Sequence, residues 1–391
     1  MKQGNLLIVH GGAPTAVINS SLYGAVTEAK KHPEVEKVLG AVGGTGGMLK
    51  ENFCDLSAVP EERLRLLLQT PASAIGTSRD ALEPEHYAAM AEICRKHNIR
   101  WVLFNGGNGS MDACGKLFKA CVAAGVDVRV VGIPKTVDND IAVTDHAPGF
   151  GSAARFIAGI TSEISQDVRS LPIHVSVIEA MGRNAGWVTA ASALARTGNG
   201  DGPDLIYLPE RPFNEEEFLE KVGDLYRKKG GVVVVASEGL TGLDGKPIVE
   251  PIFQVGRATY YGDVSAHLAN LVIKKLGIKA RSEKPGISNR ASIAFQSETD
   301  RDEAVLVGGE AARAALAGEN GVMVGLRRVP GPVYQVETFL IPVEQVMLYE
   351  RKMPDEYISA DGCDVTDAFV EWCRPLIGSP LRQFVTFKPT L

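Results

Sequence analysis

Short apolar runs recur along the chain, and most are followed by a glycine turn and an amphipathic stretch. Apolar runs bounded in this way predict buried β-strands. Between the runs, apolar residues return at helical spacing, as they do from Met111 through Cys114, Leu117 and Phe118 to Cys121. This alternation is typical of a parallel sheet covered by helices on both faces. The predicted strands are Leu6–Val9, Trp101–Phe104, Val128–Ile133, Val175–Ile178, Leu205–Leu208 and Val232–Ala236.

The pattern divides into two blocks. The first runs to about residue 148, with its first helix beginning near Ala16. The second begins near Gly149, where two glycines suit a hinge, and continues to about residue 275. The C-terminal part does not follow this pattern. Within it, apolar and polar residues alternate loosely over Tyr334–Ile341, which predicts an added strand.

Composition narrows the class of protein. A chain of 391 residues corresponds to about two or three domains. With 45% apolar and 23% charged residues it is neither disordered, nor a coiled coil, nor collagen-like. The net charge of −6 argues against a nucleic-acid partner, since such proteins normally carry a basic patch.

The six cysteines form no CxxC pair and no metal-binding spacing, so we read Cys114 and Cys121 as small buried apolar residues. Reduced cysteines suit a cytoplasmic protein. Leu6–Val9 is too short for a signal peptide, and no apolar stretch is long enough for a membrane span. We therefore expect a cytoplasmic protein with no membrane partner.

Three loops follow predicted strands: Gly11–Thr15, Gly106–Ser110 and Pro134–Asp140. Ligands of open parallel sheets bind beyond the carboxyl ends of the strands. Glycine lets backbone N–H groups approach a phosphate, and a helix N-terminus adds a favourable field. Each loop taken alone is also compatible with a plain tight turn.

Two common phosphate-binding motifs are absent. The chain has no G-x-x-x-x-G-K-[ST] sequence, and the glycine pattern that starts at Gly107 has Asp112 in its sixth position. A Walker ATPase and an ordinary NAD enzyme are therefore not supported.

The third loop contains the most side chains suited to catalysis. Lys135 and Thr136 are followed by Asp138 and Asp140. Transfer of a phosphoryl group to a hydroxyl needs a base for the proton and a cation or Mg²⁺ for the phosphate charge, and these residues supply both. A solvated turn is the alternative for this segment alone.

Seven segments together resemble the phosphofructokinase family, in matching order and spacing from residue 5 to about 320. The resemblance implies an α/β phosphofructokinase fold: two Rossmann-like lobes with parallel-rich sheets covered by helices, and an active site in the cleft between them. The matching segments are Gly11–Thr15, Gly76–Arg79, Gly106–Ser110, Pro134–Asp140, Thr144–Ser152, Met181–Gly186 and Ser237–Gly239.

Domain boundaries follow from this resemblance. We expect residues 1–148 and about 290–340 to form the lobe that binds the phosphoryl donor, and residues 149–289 the sugar-phosphate lobe. Residues 341–391 are expected to form a C-terminal extension that packs on the lobes.

The resemblance also implies roles. Asp138 matches the base that takes the proton of the sugar 1-hydroxyl, and Thr136 lies near the transferred phosphoryl group. Asp140 matches a Mg²⁺ ligand, and Arg183 an arginine that stabilises the transferring charge. Lys135 completes the expected catalytic set. The expected reaction is Mg²⁺-dependent transfer to fructose 6-phosphate, which yields fructose 1,6-bisphosphate in glycolysis.

Further residues match binding positions. In the family Arg281 is lent by a neighbouring subunit, which implies a homodimer or homotetramer with shared active sites. The expected donor-binding residues are Gly12, Arg79, Gly107, Asn108, Gly109 and Ser110. The expected sugar-binding residues are Thr136, Asp138, His174, Met181, Gly182, Arg183, Glu238, Arg281 and Arg290.

Three residues bear on the metal and the donor. Asn108 stands where many members have aspartate, which makes it a weaker Mg²⁺ ligand. Gly109 leaves room for ATP, where aspartate would favour pyrophosphate, whereas Lys135 is typical of pyrophosphate users. The surrounding sequence, including Asp145–Gly151, most resembles the short bacterial pyrophosphate-type branch of the family. Because direct sterics at Gly109 outweigh this general similarity, we expect ATP as the donor, with pyrophosphate as the alternative.

Two residues leave the acceptor open. His174 and Ile287 stand where many members have an arginine and a histidine that bind the sugar phosphate. Their presence is compatible with another acceptor, such as sedoheptulose 7-phosphate or a sugar without a phosphate. A non-catalytic sensor of nucleotides or sugar phosphates on the same fold is the alternative from a different class.

Overall fold

The computed structural model describes residues 3–196, 201–255, 258–347 and 349–387. The chain forms two compact units, each built from two segments. Met1–Ser152 and Arg290–Arg351 form the first unit, and Ala153–Asn289 and Lys352–Leu391 form the second. The residues from 341 onward, which we expected to form one extension, are thus divided between the units at Arg351.

The strands of the described residues alternate with helices along most of the chain. They are β1 (Gly4–His10), β2 (Val35–Ala41), β3 (Phe53–Asp55), β4 (Ile99–Gly106), β5 (Arg129–Pro134), β6 (Val175–Ala180), β7 (Leu205–Tyr207), β8 (Val232–Ser237), β9 (Pro251–Val255), β10 (Ala258–Tyr261), β11 (Ala280–Glu283), β12 (Val322–Arg328) and β13 (Val336–Pro342).

The helices range from one turn to about six turns. They are α1 (Ile18–Ala29), α2 (Gly44–Leu49), α3 (Glu61–Arg65), α4 (Pro84–Lys96), α5 (Asn108–Ala123), α6 (Phe150–Ser170), α7 (Trp187–Ala191), α8 (Glu215–Lys229), α9 (Val264–Leu276), α10 (Ser288–Ala291), α11 (Glu298–Ala317) and α12 (Asp367–Cys373). Short 3₁₀ turns cover Leu66–Gln69, Ser192–Ala195, Val343–Gln345, Asp355–Tyr357 and Arg374–Ile377.

The first unit contains a seven-stranded sheet in the order β13-β12-β5-β4-β1-β2-β3. Its five inner strands pair in parallel, and the edge strands β13 and β3 pair antiparallel with their neighbours. The adjacent strands β1, β4 and β5 end at the same edge of the sheet. The three glycine- and aspartate-rich loops therefore start side by side.

Both faces of this sheet are covered, as the apolar strands predicted. Leu6 and Ile8 point into a core that contains residues of α1 and α11, whereas Leu7 and Val9 point into a core with residues of α4 and α5. Since successive side chains of a strand point to opposite faces, one apolar strand serves both cores. Where α1 and α11 pack, a Cβ atom at Gly308 would collide with the backbone of α1.

The second unit contains a four-stranded parallel sheet in the order β11-β6-β8-β7 and a separate antiparallel hairpin of β9 and β10. Its C-terminal segment joins its core through aromatic contacts. The ring of Trp187 lies 5.0 Å from Trp372, 6.0 Å from Tyr357 and 6.4 Å from Phe369, measured between ring centroids.

Each apolar strand of the sequence analysis is present, and Tyr334–Ile341 corresponds to β13. The first helix begins at Ile18 rather than near Ala16. Cys114 and Cys121 are buried in the core, as expected. No helix in the described ranges is long and apolar enough to cross a membrane.

Candidate active site

The loops after β1, β4 and β5 line a pocket of about 430 Å³ in the first unit. All six expected donor-binding residues line it, and so do the four acidic, basic and hydroxyl residues expected on the third loop. These ten residues are Gly12, Arg79, Gly107, Asn108, Gly109, Ser110, Lys135, Thr136, Asp138 and Asp140. Residues far apart in the sequence thus converge because their strands are neighbours in the sheet.

The first loop turns at Gly12, whose φ of +76° lies in the left-handed region that favours glycine. The hydroxyl of Thr77 donates to the Gly12 carbonyl at 2.8 Å, and the Gly12 amide donates to the carbonyl of Ser78 at 2.9 Å. The ammonium of Lys135 donates to the next carbonyl, that of Ala13, at 2.5 Å. These bonds join the first loop to the segment around Arg79 and to the third loop.

The second loop leads directly into the N-terminus of α5. Gly107 is its capping residue, and the helix begins at Asn108. Unpaired N–H groups and the helix dipole make such a terminus favourable for an anion. Apart from its chain neighbours and the backbone of its own helix, a Cβ atom at Gly109 would meet no protein atom within 4 Å. The pocket is therefore open beside Gly109, as the expectation of room for ATP requires.

Lys135 lines this pocket and is buried. Burial lowers the pKa of its ammonium to about 8. The carboxylates of Asp138 and Asp140 oppose this shift, and the positive charges of Arg79 and Arg290 add to it. Arg79 and Arg290 thus both lie close enough to act on Lys135, and such a concentration of positive charge suits a ligand of high negative charge.

The third loop orients its two carboxylates through Thr136. The Asp138 amide donates to Thr136 Oγ1 at 3.0 Å, and the Thr136 hydroxyl donates to Asp140 Oδ1 at 3.0 Å. Asn139, between the two aspartates, has a φ of +52°, a conformation that asparagine tolerates better than most residues. The loop therefore presents Asp138 and Asp140 from a defined, irregular backbone.

Asn108 and Asp140 fit the expected Mg²⁺ site. Asn108 Nδ2 donates to Asp140 Oδ2 at 2.9 Å, while Asn108 Oδ1 is buried and has no hydrogen-bond partner. One carboxylate and one free amide oxygen suit Mg²⁺, which proteins usually hold through one or two carboxylates and the substrate phosphates. Among the described residues, no group of three or more His, Cys, Asp or Glu residues could hold a metal by itself.

The other expected sugar-binding residues mostly belong to the second unit. Gly182, with a φ of +114°, follows β6, and its amide donates to Glu238 Oε1 at 3.3 Å. The Ser237 hydroxyl donates to the Gly182 carbonyl at 2.8 Å. The Met181–Arg183 turn is thus joined to the end of β8, the strand beside β6.

Arg183 is exposed and held by its surroundings. Its Nη1 donates to the carbonyl of Thr259 at 3.1 Å, and its guanidinium lies 5.4 Å from the ring centroid of Tyr261. These contacts attach Arg183 to strand β10 of the hairpin.

The expected phosphate-binding residues are distributed over both units. His174 precedes β6 and is only 3% exposed, and its pKa is lowered by burial and by the charge of Arg281. Arg281 lies on β11 of the second unit and is exposed. Arg290 belongs to the first unit, where its charge acts on Lys135. Ile287 is 64% exposed.

Two polar lining residues, Thr45 and Asp80, escaped the sequence analysis. The carboxylate of Asp80 accepts hydrogen bonds from the hydroxyls of Thr45, at 2.5 Å, and Ser78, at 2.6 Å. Thr45 and Asp80 both line the pocket. The one signal in the sequence is that Asp80 directly follows the matching segment Gly76–Arg79.

Comparison with known proteins places the chain among phosphotransferases. The model of the Phosphofructokinase family matches residues 5–315. A pyrophosphate–fructose 6-phosphate 1-phosphotransferase of Rhodospirillum rubrum is 37% identical, with 97% of this chain and 95% of the relative covered. A sulfofructose kinase of Alkalicoccus urumqiensis is 33% identical, with 95% of both chains covered.

A solved structure is similar over nearly the whole chain. The crystal structure of a pyrophosphate-dependent phosphofructokinase from Nitrosospira multiformis has a TM-score of 0.90 and 33% identity. The similarity covers 99% of this chain and 95% of that one.

Proposed function

Because this chain belongs to the phosphofructokinase family, we propose that it transfers a phosphoryl group from pyrophosphate to the 1-hydroxyl of fructose 6-phosphate. The observation that carries the proposal is the pocket of the first unit, where Lys135, Asp138 and Asp140 lie with the N-terminus of α5. A base for the hydroxyl proton, and a cation and a helix terminus for the phosphate charge, are groups that promote phosphoryl transfer to a hydroxyl.

Each residue has a defined task in this proposal. Asp138 accepts the proton of the attacking hydroxyl, whose oxygen forms the new bond to phosphorus while the bond to the leaving phosphate breaks. Lys135 and the amides of α5 hold the donor phosphates. Arg183 stabilises the charge of the transferring group. Asp140 and Asn108 would hold Mg²⁺, which neutralises phosphate charge when it is bound.

We propose pyrophosphate as the donor instead of ATP, which we expected from the sequence. Lys135 supports this change, as do the names of the relatives that match over nearly the full chain. ATP stays the second candidate because the pocket beside Gly109 is open. A nucleotide needs that space, whereas pyrophosphate does not.

For the acceptor, the positive charges of Arg281 and Arg290 support a sugar with an anionic group at C6. His174 is almost fully buried and its pKa is lowered, so it adds little positive charge at neutral pH. This observation favours an acceptor of lower charge as a second candidate. A sulfonate, as in the substrate that the name of the Alkalicoccus urumqiensis relative indicates, carries one negative charge fewer than a phosphate dianion.

The test is a direct comparison of initial rates with Mg²⁺, using pyrophosphate or ATP with fructose 6-phosphate, sedoheptulose 7-phosphate or sulfofructose. The expected result is the highest kcat/KM with pyrophosphate and fructose 6-phosphate. A higher kcat/KM with ATP would overturn the donor assignment, and a higher value with another sugar would overturn the acceptor assignment. Binding of sugar phosphate without turnover under every condition would instead support the sensor.

A further inference from the structure

An arginine outside the segment matched by the family model is bound to the loop that follows β5. The match ends at residue 315, whereas Arg351 is the last residue of the first unit. Its Nη1 donates to the carbonyls of Thr144, at 2.6 Å, and Asp145, at 2.8 Å. Its Nη2 and Nε donate to the carbonyl of Asn139, at 3.0 and 3.3 Å. One guanidinium thus satisfies three carbonyls of an irregular loop.

The backbone of the same residue holds the loop as well. The amide of Arg351 donates to the carbonyl of Asp140 at 2.8 Å, and Glu350 forms an antiparallel bridge with Ile141. The carbonyl of Asn139 belongs to the peptide that precedes Asp140, and the carbonyl of Asp140 to the peptide that follows it. Arg351 therefore fixes the peptide units on both sides of Asp140.

This loop needs external support because its backbone is strained. Asn139 and Val143 have φ values of +52° and +72°, and a β-branched residue such as Val143 rarely adopts the left-handed region. Such conformations persist only where the surroundings hold them. Arg351 bonds to the carbonyls of Asn139 and of Thr144, the neighbour of Val143.

We propose that Arg351 is a positioning residue that holds Asp140 and, through the shared loop, Asp138 in the arrangement that binds metal and donor. This role rests on the proposed function of the pocket. It predicts that loss of the guanidinium weakens binding of the metal–donor complex and lowers kcat, although Arg351 touches no reacting atom. Loss of a residue that orients a metal ligand typically costs about 10–100-fold in metal affinity or activity.

The test compares Arg351→Met and Arg351→Lys with the wild type. Binding of Mn²⁺ together with methylenediphosphonate, a pyrophosphate analogue that is not cleaved, is measured by calorimetry, alongside kcat and Tm. AMP-PNP replaces the analogue if ATP proves to be the donor. We expect about 10–100-fold weaker binding and lower kcat in Arg351→Met. Arg351→Lys should show intermediate binding and kcat, because a lysine ammonium cannot bond to the carbonyls of Asn139 and Thr144 at once as the planar guanidinium does.

Arg327→Met provides a matched control. Arg327 also lies in the first unit, where it pairs with Glu337 and stacks over Phe339. Its substitution removes an arginine without touching the loop, so we expect binding and kcat within about twofold of the wild type.

Each outcome decides the role of Arg351. Folded Arg351→Met with wild-type binding and kcat would overturn the proposal. If that variant does not fold, wild-type binding by Arg351→Lys would overturn it. If the wild type turns over no sugar but binds the Mn²⁺ complex in an Arg351-dependent way, the proposed function fails and the positioning role stands. If the wild type binds no such complex, both fail.

Discussion

The side-chain amide of Asn108 donates to Oδ2 of Asp140 at 2.9 Å, and the buried amide oxygen of Asn108 has no hydrogen-bond partner. Because only the nitrogen of an amide can donate, Asp140 determines which way the group faces. As the proposed Mg²⁺ ligands, the pair would therefore offer one charged and one neutral oxygen. That is a weaker site for a divalent cation than two carboxylates would form.

Substitution Asn108→Asp tests this pair. Without metal, the second carboxylate repels Asp140 and removes a hydrogen bond, so we expect a loss of about 1–3 kcal/mol in the free energy of unfolding. With Mg²⁺, two carboxylates bind the cation more strongly, and stability should recover. Urea unfolding with and without Mg²⁺ measures both effects. A variant that Mg²⁺ does not stabilise more than it stabilises the wild type would contradict the assigned metal site.

Substitution Asp138→Asn tests the proposed base. The amide cannot accept the proton of the sugar hydroxyl, so kcat should fall by about 10²–10⁴-fold while the sugar phosphate still binds. Single-turnover kinetics and calorimetric binding measure the two quantities separately. Unchanged kcat would exclude Asp138 as the base.

Substitution Gly109→Asp tests how the donor is selected. The position has open space, and a carboxylate in the first turn of α5 is favourable for the helix, so the variant should fold. We expect the KM for ATP to rise by about tenfold or more through crowding and repulsion, and that for pyrophosphate to change much less. Gly109→Ala adds only a methyl group and serves as the control. Equal losses with both donors would show that Gly109 does not discriminate between them.

Lys135 predicts a pH dependence of donor binding. Its pKa of about 8 means that the ammonium is charged below pH 8 and neutral above it. The KM for pyrophosphate should therefore rise as the pH increases through about 8. Lys135→Met should weaken donor binding by about 10–100-fold at pH 7 and remove this part of the pH dependence. An identical KM–pH profile in the variant would show that another group titrates.

His146 predicts a pH dependence of stability. The buried ring contacts Asp145 at 2.7 Å and Glu303 at 2.6 Å. Burial disfavours its charge, but Glu303 and Asp145 outweigh this effect and raise the pKa of His146 from 6.5 to about 9. Because the folded pKa lies above the unfolded one, the stabilisation is complete below pH 6.5 and is lost as the pH rises through about 9.

The measurement for His146 is urea unfolding of the wild type and His146→Gln between pH 6 and 9.5. At pH 6 the variant should be less stable by about 3 kcal/mol, and the difference should shrink towards pH 9.5. His32→Gln removes a more exposed histidine that also faces carboxylates, and it serves as the control. A difference that grows with pH would contradict the assignment of a charged His146.

Most strands that the sequence predicted are buried and show this in their apolar composition, whereas β13 was predicted from its loose alternation and the buried strand β12 was missed. β4 and β8 are continuous apolar runs because both of their faces are covered. β2 has Glu36 and Lys37 directly after its first residue, and β11 has the sequence ARSE, so neither shows such a run. These strands form because a neighbouring strand offers hydrogen-bond partners, and a sequence read alone does not show that neighbour.

In the candidate site, too, some features are visible in the sequence and others only in the fold. The glycine loops and the segment from Lys135 to Asp140 are local motifs with a chemistry of their own, and the sequence determined both the motifs and the family. Their convergence on one pocket follows from the order of β1, β4 and β5 in the sheet. The hydrogen bond from Asn108 to Asp140 and the bonds of Arg351 to its loop join residues 32 to more than 200 positions apart. Only the tertiary structure decided these contacts, because hydrogen bonds depend on distances in space that no local pattern encodes.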